Sequence, residues 1–367
     1  MQDLDTKPLD LVEYFTSKGY STVAIDGYKV ISKYSSIENE IDSLYTGVGL
    51  RNISHLGIIE LKGNDVLDYL HRISTNSILN LPKAHTRVTL FTSDRGRIIG
   101  VAKLINFEDY QLLVCGRENK NKVMSWVRKY VIGDDVHVND ANGKYSLLEL
   151  SGPQSDSFIR IICGDVVNEI EVNTFKIIHT ENLLFFLIKL KNARGYNKFW
   201  ILSDFENSKR IVNNMTDYDG PFNFSLVGEE AYNTYRIEQG IPSEPNELND
   251  NYNPHEVRLM EYIDTEKGCY IGQEVIERLD TYQKIQKYLV GVKFRDQIFD
   301  DEQFTLFNNN KEEIGNVTSL TNSIKLDLPI GLAYIRKAFS AEGTKLIARS
   351  ANGRSVNVSV SELPFIK

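Results

Sequence analysis

Residues 267–274 read Lys-Gly-Cys-Tyr-Ile-Gly-Gln-Glu. A thiol, two glycines, an amide and a carboxylate share eight positions. Glycines four apart, Gly268 and Gly272, mark a backbone that turns tightly or lets another group come close. QEVIERLDTYQKIQKYL follows, with Val275, Leu279 and Tyr282 at helical spacing. Cys269 is thereby expected just ahead of a helix N-terminus, with Lys267 two residues away. A helix dipole and a lysine both favour thiolate over thiol. The plain alternative is a loop cysteine in an ordinary connection.

The 367 residues carry 42 Lys and Arg against 50 Asp and Glu, a net charge of −8. That length suffices for two or three domains with substantial cores. The acidic balance argues against nucleic acid as a partner. The apolar runs at 183–188 and 112–115 are too short to span a membrane. The first twenty residues hold Asp3, Asp5, Asp10 and Glu13 and no continuous apolar segment, so no signal peptide is read. Three widely spaced cysteines (Cys115, Cys163, Cys269) suit a reducing setting, and the cytoplasm is the expected compartment. Cys115 and Cys163 follow apolar runs and read as core thiols. The histidines form no close pair and CxxC is absent, so no metal site is expected. There is no GxGxxG, P-loop or GxSxG.

LVEYF at 11–15 begins a helix. GIIELKG at 57–63 alternates as a strand, and Asn64 is placed to cap a helix through Val66, Leu67 and Leu70. Residues 87–105 read as a hairpin turning at Ser93-Asp94-Arg95-Gly96. A strand at 110–115 and a helix at 118–131 follow. YSLLELSGP at 145–153 is a strand, then a helix with Phe158, Ile161 and Ile162 inward. Strands at 183–191 and 199–203 precede a helix at 227–242, stopped by Gly240 and Pro242. SEPNELNDNYN, between Pro242 and Pro254, reads as an extended surface loop. After residue 287, apolar runs at 289–294, 304–307, 314–320, 330–335, 345–350 and 356–360 are separated by turn residues, with Asn352-Gly353 the strongest hairpin signal. Six short strands without helices predict a small β-barrel or sandwich.

The octapeptide, continued by Arg278, resembles the Lys-Gly-Cys-Tyr-x-Gly-Gln-Glu motif of the YgfZ family. These are folate-binding relatives of the glycine-cleavage T-protein (aminomethyltransferase), implicated in assembly or repair of iron–sulfur enzymes. Similarity to the T-protein superfamily runs over roughly residues 35–367. ISHLGIIELKG, LLELSGPQS, RIEQGIP (236–242), NPHE (253–256), IGNVTSL and LPFIK resemble its landmarks in order. The resemblance implies an α+β, T-protein-like three-domain ring around a hole for folate: a ferredoxin-like unit, a second α+β unit and a C-terminal β-barrel. The matching segments are 1–33 as an N-terminal extension, 34–286 as the folate-binding region of two interleaved subdomains, and 287–367 as the barrel.

The resemblance further implies Cys269 as the key thiol. It implies tetrahydrofolate or a related pterin as cofactor, with Arg236, Lys267, Tyr270, Gln273, Glu274 and Arg278 as its binding set, and iron–sulfur proteins as candidate partners. Each residue has a plainer duty. Arg236 either clamps folate through its planar fork or pairs with Glu230 or Glu238. Gln273 and Glu274 either cap their helix or hold the Cys269 loop closed. Arg278 is placed for an i,i+4 pair with Glu274. Lys267 is a solvated charge or a cation beside the thiol.

Departures from the aminomethyltransferases bear on function. Their Asp-Asp pair, one member of which orients folate and assists methylene transfer, falls on Gly100 and Val101. Their Tyr-Thr becomes Val88-Thr89, and a strand-end Asn becomes Cys115. The Glu of Tyr-Thr-Gly-Glu, which grips the pterin, falls on Lys198. Each hydrogen bond left unmet would cost about 1–3 kcal/mol. The departures argue against aminomethyl transfer, so the expected function is a YgfZ-like folate-binding protein supporting iron–sulfur cluster assembly or repair. The alternatives are a folate-dependent aminomethyl- or methyltransferase, or a non-catalytic protein-binding module; whether the chain is an enzyme stays open.

Overall fold

The computed structural model describes residues 10–367, except Asp26, Glu181, Gln283 and residues 299–302. The chain divides into two compact units, each drawn from separated stretches: 1–56, 84–86 and 140–232 in the first, and 57–83, 87–139 and 233–367 in the second.

The first unit is built on a six-stranded sheet, in spatial order Thr174–His179, Leu184–Lys191, Asn197–Ser203, Ser146–Ser151, Val48–Asn52 and Phe224–Leu226. The first five strands run antiparallel, and Phe224–Leu226 lies parallel to its neighbour. Successive side chains of a strand point to opposite faces. Leu50, Leu148, Leu150, Phe199 and Ile201 therefore share one face and meet Phe158, Ile159, Ile211, Val212 and Met215 from two helices, Ser155–Cys163 and Phe205–Thr216. Phe158 is inward as expected, but Ile161 is 43% exposed. Positions 158, 159 and 162 already fill the inward stripe of that helix. The opposite sheet face carries Arg51, Glu149, Lys198 and Trp200.

Residues 1–9 of the expected N-terminal extension lie outside the described residues. From Asp10 onward the segment is part of this unit. Asp10 and Glu13 form a reciprocal capping box on the helix Leu11–Ser17, and Leu11 and Phe15 enter the same core. Glu40, on the helix Ile37–Thr46, is fully buried and accepts from the backbone amides of Tyr34 (2.6 Å), Ser35 (2.6 Å) and Gly228 (2.7 Å).

The second unit holds a five-stranded sheet, in order Thr86–Thr92, Ile98–Asn106, Gln111–Cys115, Gly57–Lys62 and His137–Asp140. The helices Val66–Ile73 and Lys120–Lys129 pack into its core. The hairpin turns where expected, with Ser93 N donating to Arg97 O at 2.8 Å and Gly96 at φ +65°. Asn64 does not cap the following helix: Asp65 holds the N-cap position, and Asn64 Nδ2 donates to Asp135 Oδ2 at 2.9 Å.

Every apolar run expected after residue 287 forms a strand of a closed barrel. Its order is Lys287–Phe294, Leu328–Arg336, Glu313–Ser323, Phe304–Phe307, Lys345–Ser350 and Ser355–Ser361. Closure removes the sheet edges that strands this short would otherwise leave open. Asn352-Gly353 makes the tight turn, with Gly353 at φ +88°. A second apolar cluster joins Leu90 and Ile98 of the sheet, Leu248 and Tyr252 of the 243–252 segment, and Leu289, Leu332 and Tyr334 of the barrel. Among the described residues no helix is long and apolar enough to cross a membrane.

Glu40 is the polar fastener of the first unit. Replacing it with alanine leaves three amides without their acceptor, and the buried Gly228 amide alone costs about 1–3 kcal/mol. Glu40→Ala is expected to lower the urea midpoint of the transition that reports on Trp200, the tryptophan of this unit, without dissolving the second unit's secondary structure by circular dichroism.

Candidate functional site

The octapeptide lies in the second unit, where the helix Gln273–Thr281 begins. Gly272 has φ +87°, and a Cβ there would stand 2.4 Å from Ser93 O, so glycine is required on both counts. Thr92 Oγ1 donates to Ile271 O at 2.7 Å, fixing the loop to the 86–106 hairpin. Gly268 is different: a Cβ there meets nothing within 4 Å, and the expected backbone necessity does not hold.

Lys267 is buried, and its Nζ donates to the carbonyls of His71, Ser74 (2.6 Å) and Asn76 (3.0 Å). These carbonyls end the helix Val66–Ile73 and begin the segment after it, where backbone acceptors are left without helical partners. Lys267 is therefore neither a solvated charge nor a cation reserved for the thiol; it caps a helix. Burial lowers its pKa to about 8. Its ammonium also lies 5.3 Å from the ring of Tyr270, which packs with Ile263 and Ile276. Cys269 is exposed and free. Cys115 is buried and Cys163 half-buried, and burial pushes both thiols upward, Cys163 to about 12.

Gln273 holds the loop: its Oε1 accepts from Tyr270 N at 3.3 Å, and its Nε2 donates to Glu277 Oε1 at 2.7 Å. The expected Glu274–Arg278 pair is absent among the described residues; both side chains are exposed. Gln273–Glu277 takes the i,i+4 place instead.

Arg236 pairs with neither Glu230 nor Glu238. It is 6% exposed, and its partner is the fully buried Glu247, with Nη1 at 3.3 Å from Oε2. Its Nε donates to Asn233 Oδ1 (2.9 Å) and its Nη2 to Ser319 Oγ (2.8 Å). The 243–252 segment is thus no surface loop: Glu247 and Leu248 are buried, and Tyr252 stacks on Tyr334 at 3.5 Å between ring centroids.

That segment brings in a residue the sequence reading missed. Glu244 Oε1 accepts from Val101 N at 3.1 Å. Its Oε2 is buried without a hydrogen-bond partner, as is Asn119 Oδ1. Gly116 makes room for it, and Gly100 lies beside it. A Cβ on Gly116 would lie 2.0 Å from Oε2, and one on Gly100 would lie 3.8 Å from Oε1 and 2.5 Å from Val123 Cγ2. A carboxylate therefore cannot sit at Gly100 without moving Val123, yet a carboxyl stands beside Gly100 and Val101. Desolvation pushes Glu244 up to about 7, against the pull of the Val101 amide and Asn119. The available signal was two glycines outside any turn, which mark a close approach.

Residues 11–267 match the family model described as GCVT N-terminal domain, and residues 287–367 that described as glycine cleavage T-protein C-terminal barrel domain. The chain belongs to the glycine cleavage T-protein family. It is 27% identical over 364 residues to an aminomethyltransferase of Bacillus mycoides (strain KBAB4), covering 97% of each chain. It is 26% identical over 360 residues to one of Bacillus anthracis (strain A0248). The crystal structure of glycine cleavage system aminomethyltransferase T from Bartonella henselae superimposes with a TM-score of 0.83 at 22% identity, over 98% of this chain and 97% of that one. The α+β, T-protein-like multi-domain fold with its terminal barrel is the expected one.

Two outcomes follow for this T-protein family member. Arg236→Ala leaves Glu247 buried and uncompensated, and stability is expected to fall by about 3–5 kcal/mol, read by denaturant unfolding. Between its ordinary 4.5 and about 7, folded Glu244 keeps a proton that the unfolded chain has lost. Stability therefore falls with rising pH over that window, by at most about 1.4 kcal/mol per unit from this group. Glu244→Gln is expected to remove that slope and to melt above wild type at pH 8.

Proposed function

We propose that this chain binds tetrahydrofolate or a related pterin and works as a folate-dependent aminomethyltransferase of the T-protein type. The observation that carries this reading is the alignment with aminomethyltransferases over 97% of both chains. Glu244 supports it. Gly100 and Val101 leave the strand without a carboxyl, and Glu244 supplies one from the 243–252 segment, hydrogen-bonded to the Val101 amide. A carboxyl poised near neutrality suits proton exchange with a ligand nitrogen. The missing acids therefore weigh less against transfer than the sequence suggests.

A second reading is favoured by the exposed, free thiol of Cys269 in its octapeptide. In it the chain is YgfZ-like and supports assembly or repair of iron–sulfur proteins in a reducing cytoplasm, with folate bound beside that role.

The two readings separate on purified protein given tetrahydrofolate and an aminomethyl donor. Under the first, turnover is measurable, Glu244→Gln lowers kcat at least about 100-fold, and Cys269→Ala stays within twofold. No turnover by wild type, together with loss of a client iron–sulfur enzyme's activity in cells carrying Cys269→Ala, would sink the first reading in favour of the second.

A further inference from the structure

The outer wall of the barrel carries three polar side chains in one row. Arg349 on Lys345–Ser350 pairs with Thr305 on Phe304–Phe307, and Thr305 pairs with Asn316 on Glu313–Ser323. The strand neighbours Ala348, Phe304 and Leu306 turn into the barrel core, so alternation sets Arg349 and Thr305 outward. Asn316 shares their face as the cross-strand partner of Thr305. Phe307 is two residues beyond Thr305, and the Arg349 guanidinium lies over its ring, 4.8 Å from the centroid. A bulge follows Asn316: Val317 pairs with Ala333 and Ser319 with Leu332, leaving Thr318 as the extra residue. The bulge re-aims the strand, and Asn316, Val317 and Thr318 all line one hollow.

The 243–252 segment walls that hollow, with Asn246 Nδ2 donating to Ser319 Oγ at 3.2 Å. The result is a cavity of about 500 Å³ within the second unit. Small-molecule sites span about 300–1,000 Å³. In a chain of net charge −8, Arg349 is the one charged residue among the described residues that line the cavity. Asparagine amides and Thr, Ser and Tyr hydroxyls make up much of the rest. Thr305 Oγ1, Asn246 Oδ1 and the Asn251 amide make no hydrogen bond among the described residues. Arg349 is exposed and forms no ion pair among them.

Stacking on Phe307 occupies the flat face of the Arg349 guanidinium and leaves its N–H edge open. That edge is a bidentate donor to a phosphate or a carboxylate. Amide and hydroxyl side chains both donate and accept, and so match the hydroxyls of a polyol. We propose that this cavity binds a small polyol bearing an oxyanion, a sugar phosphate or a sugar acid, with Arg349 on the oxyanion and Asn246, Thr305 and Asn316 on the hydroxyls. Neither Glu244 nor Cys269 lines it, so the site is independent of both functional readings.

Isothermal titration of the full chain with glucose 6-phosphate, gluconate, glucose and inorganic phosphate tests this. Glucose 6-phosphate or gluconate is expected to bind, and the tighter of the two identifies the oxyanion. Arg349→Ala should weaken that ligand at least about tenfold, the loss of one charge-assisted hydrogen bond. Arg349→Lys should restore only part of it, since an ammonium lacks the planar fork. An unchanged far-ultraviolet spectrum shows that the variants keep the fold. Binding of neither sugar anion, or no weakening in Arg349→Ala, overturns the site. Inorganic phosphate binding as tightly as glucose 6-phosphate means an adventitious ion only and overturns it too. Equal affinity for glucose overturns the part given to Arg349. Competition by tetrahydrofolate overturns the independence of this site from the folate reading.

Discussion

The ion pair between Arg236 and Glu247 is the constraint on which the second unit turns. Two opposite charges taken out of water repay their desolvation only when nearly every remaining hydrogen-bonding position is met. Glu247 accepts from Arg236 and from Ser243 N (2.9 Å) through Oε2, and from Ser319 Oγ (2.7 Å) through Oε1. Its own carbonyl takes the Tyr334 hydroxyl at 2.8 Å. A helix end, a connecting segment and a barrel strand are thereby locked at one point. Thr234 bonds Thr321 and Glu238 accepts from Ser323, continuing the fastening along the same strand, Glu313–Ser323. With the segment pinned at Glu247, Tyr252 is carried onto Tyr334 and Glu244 onto Gly100 and Gly116.

This explains which parts of the molecule could be read from the chain. The barrel strands announced themselves because each is short, apolar on alternate residues and punctuated by Asn, Gly or Asp, and turn chemistry is local. The 86–106 hairpin was legible for the same reason. What failed were assignments that depend on partners remote in sequence. SEPNELNDNYN has the composition of a surface loop, and nothing within it tells that Glu247 is met by an arginine eleven residues earlier. Lys267 looked like the natural companion of Cys269 because it is two residues away. Its partners are carbonyls nearly two hundred residues upstream, at a helix end that had acceptors to spare. Ile161 failed for a smaller reason: an apolar residue on a helix is inward only where the stripe still has room.

Two buried carboxyls show how differently the same group behaves under different neighbours. Glu149 lies between two cations and a tryptophan N–H, and the field outweighs the loss of solvent. Glu244 lies against two glycines with one backbone donor, and desolvation prevails. The first is a permanent acceptor. The second is an acid that can hold or release a proton near neutrality. Neither replaces an acid at its own position in the family pattern. On the family pattern that the sequence resembles, Lys198 falls on a glutamate, and the Glu149 carboxylate lies one strand away. On the same pattern Gly100 and Val101 fall on aspartates, and the Glu244 carboxyl arrives from another segment. In both places a charge type is lost on one strand and present within a few ångströms of it, which a position-by-position comparison of sequences does not detect.

The octapeptide itself separates into an anchored part and an open part. Gly272 is fixed by its approach to Ser93, Lys267 by three carbonyls, Tyr270 by its apolar pocket and Gln273 by the Tyr270 amide. Gly268 and Cys269, between the first two anchors, touch little and face out. Anchoring both flanks of a short loop lowers the entropy it would lose when a partner engages its middle. A loop cysteine kept only for packing would be buried like Cys115; Cys269 is instead held in a fixed place with its sulfur uncommitted. Local fixation of an uncommitted thiol has no value to the fold, since removing the sulfur would leave every anchor in place. The exposed, uncommitted thiol between two anchors is the observation on which the second functional reading rests.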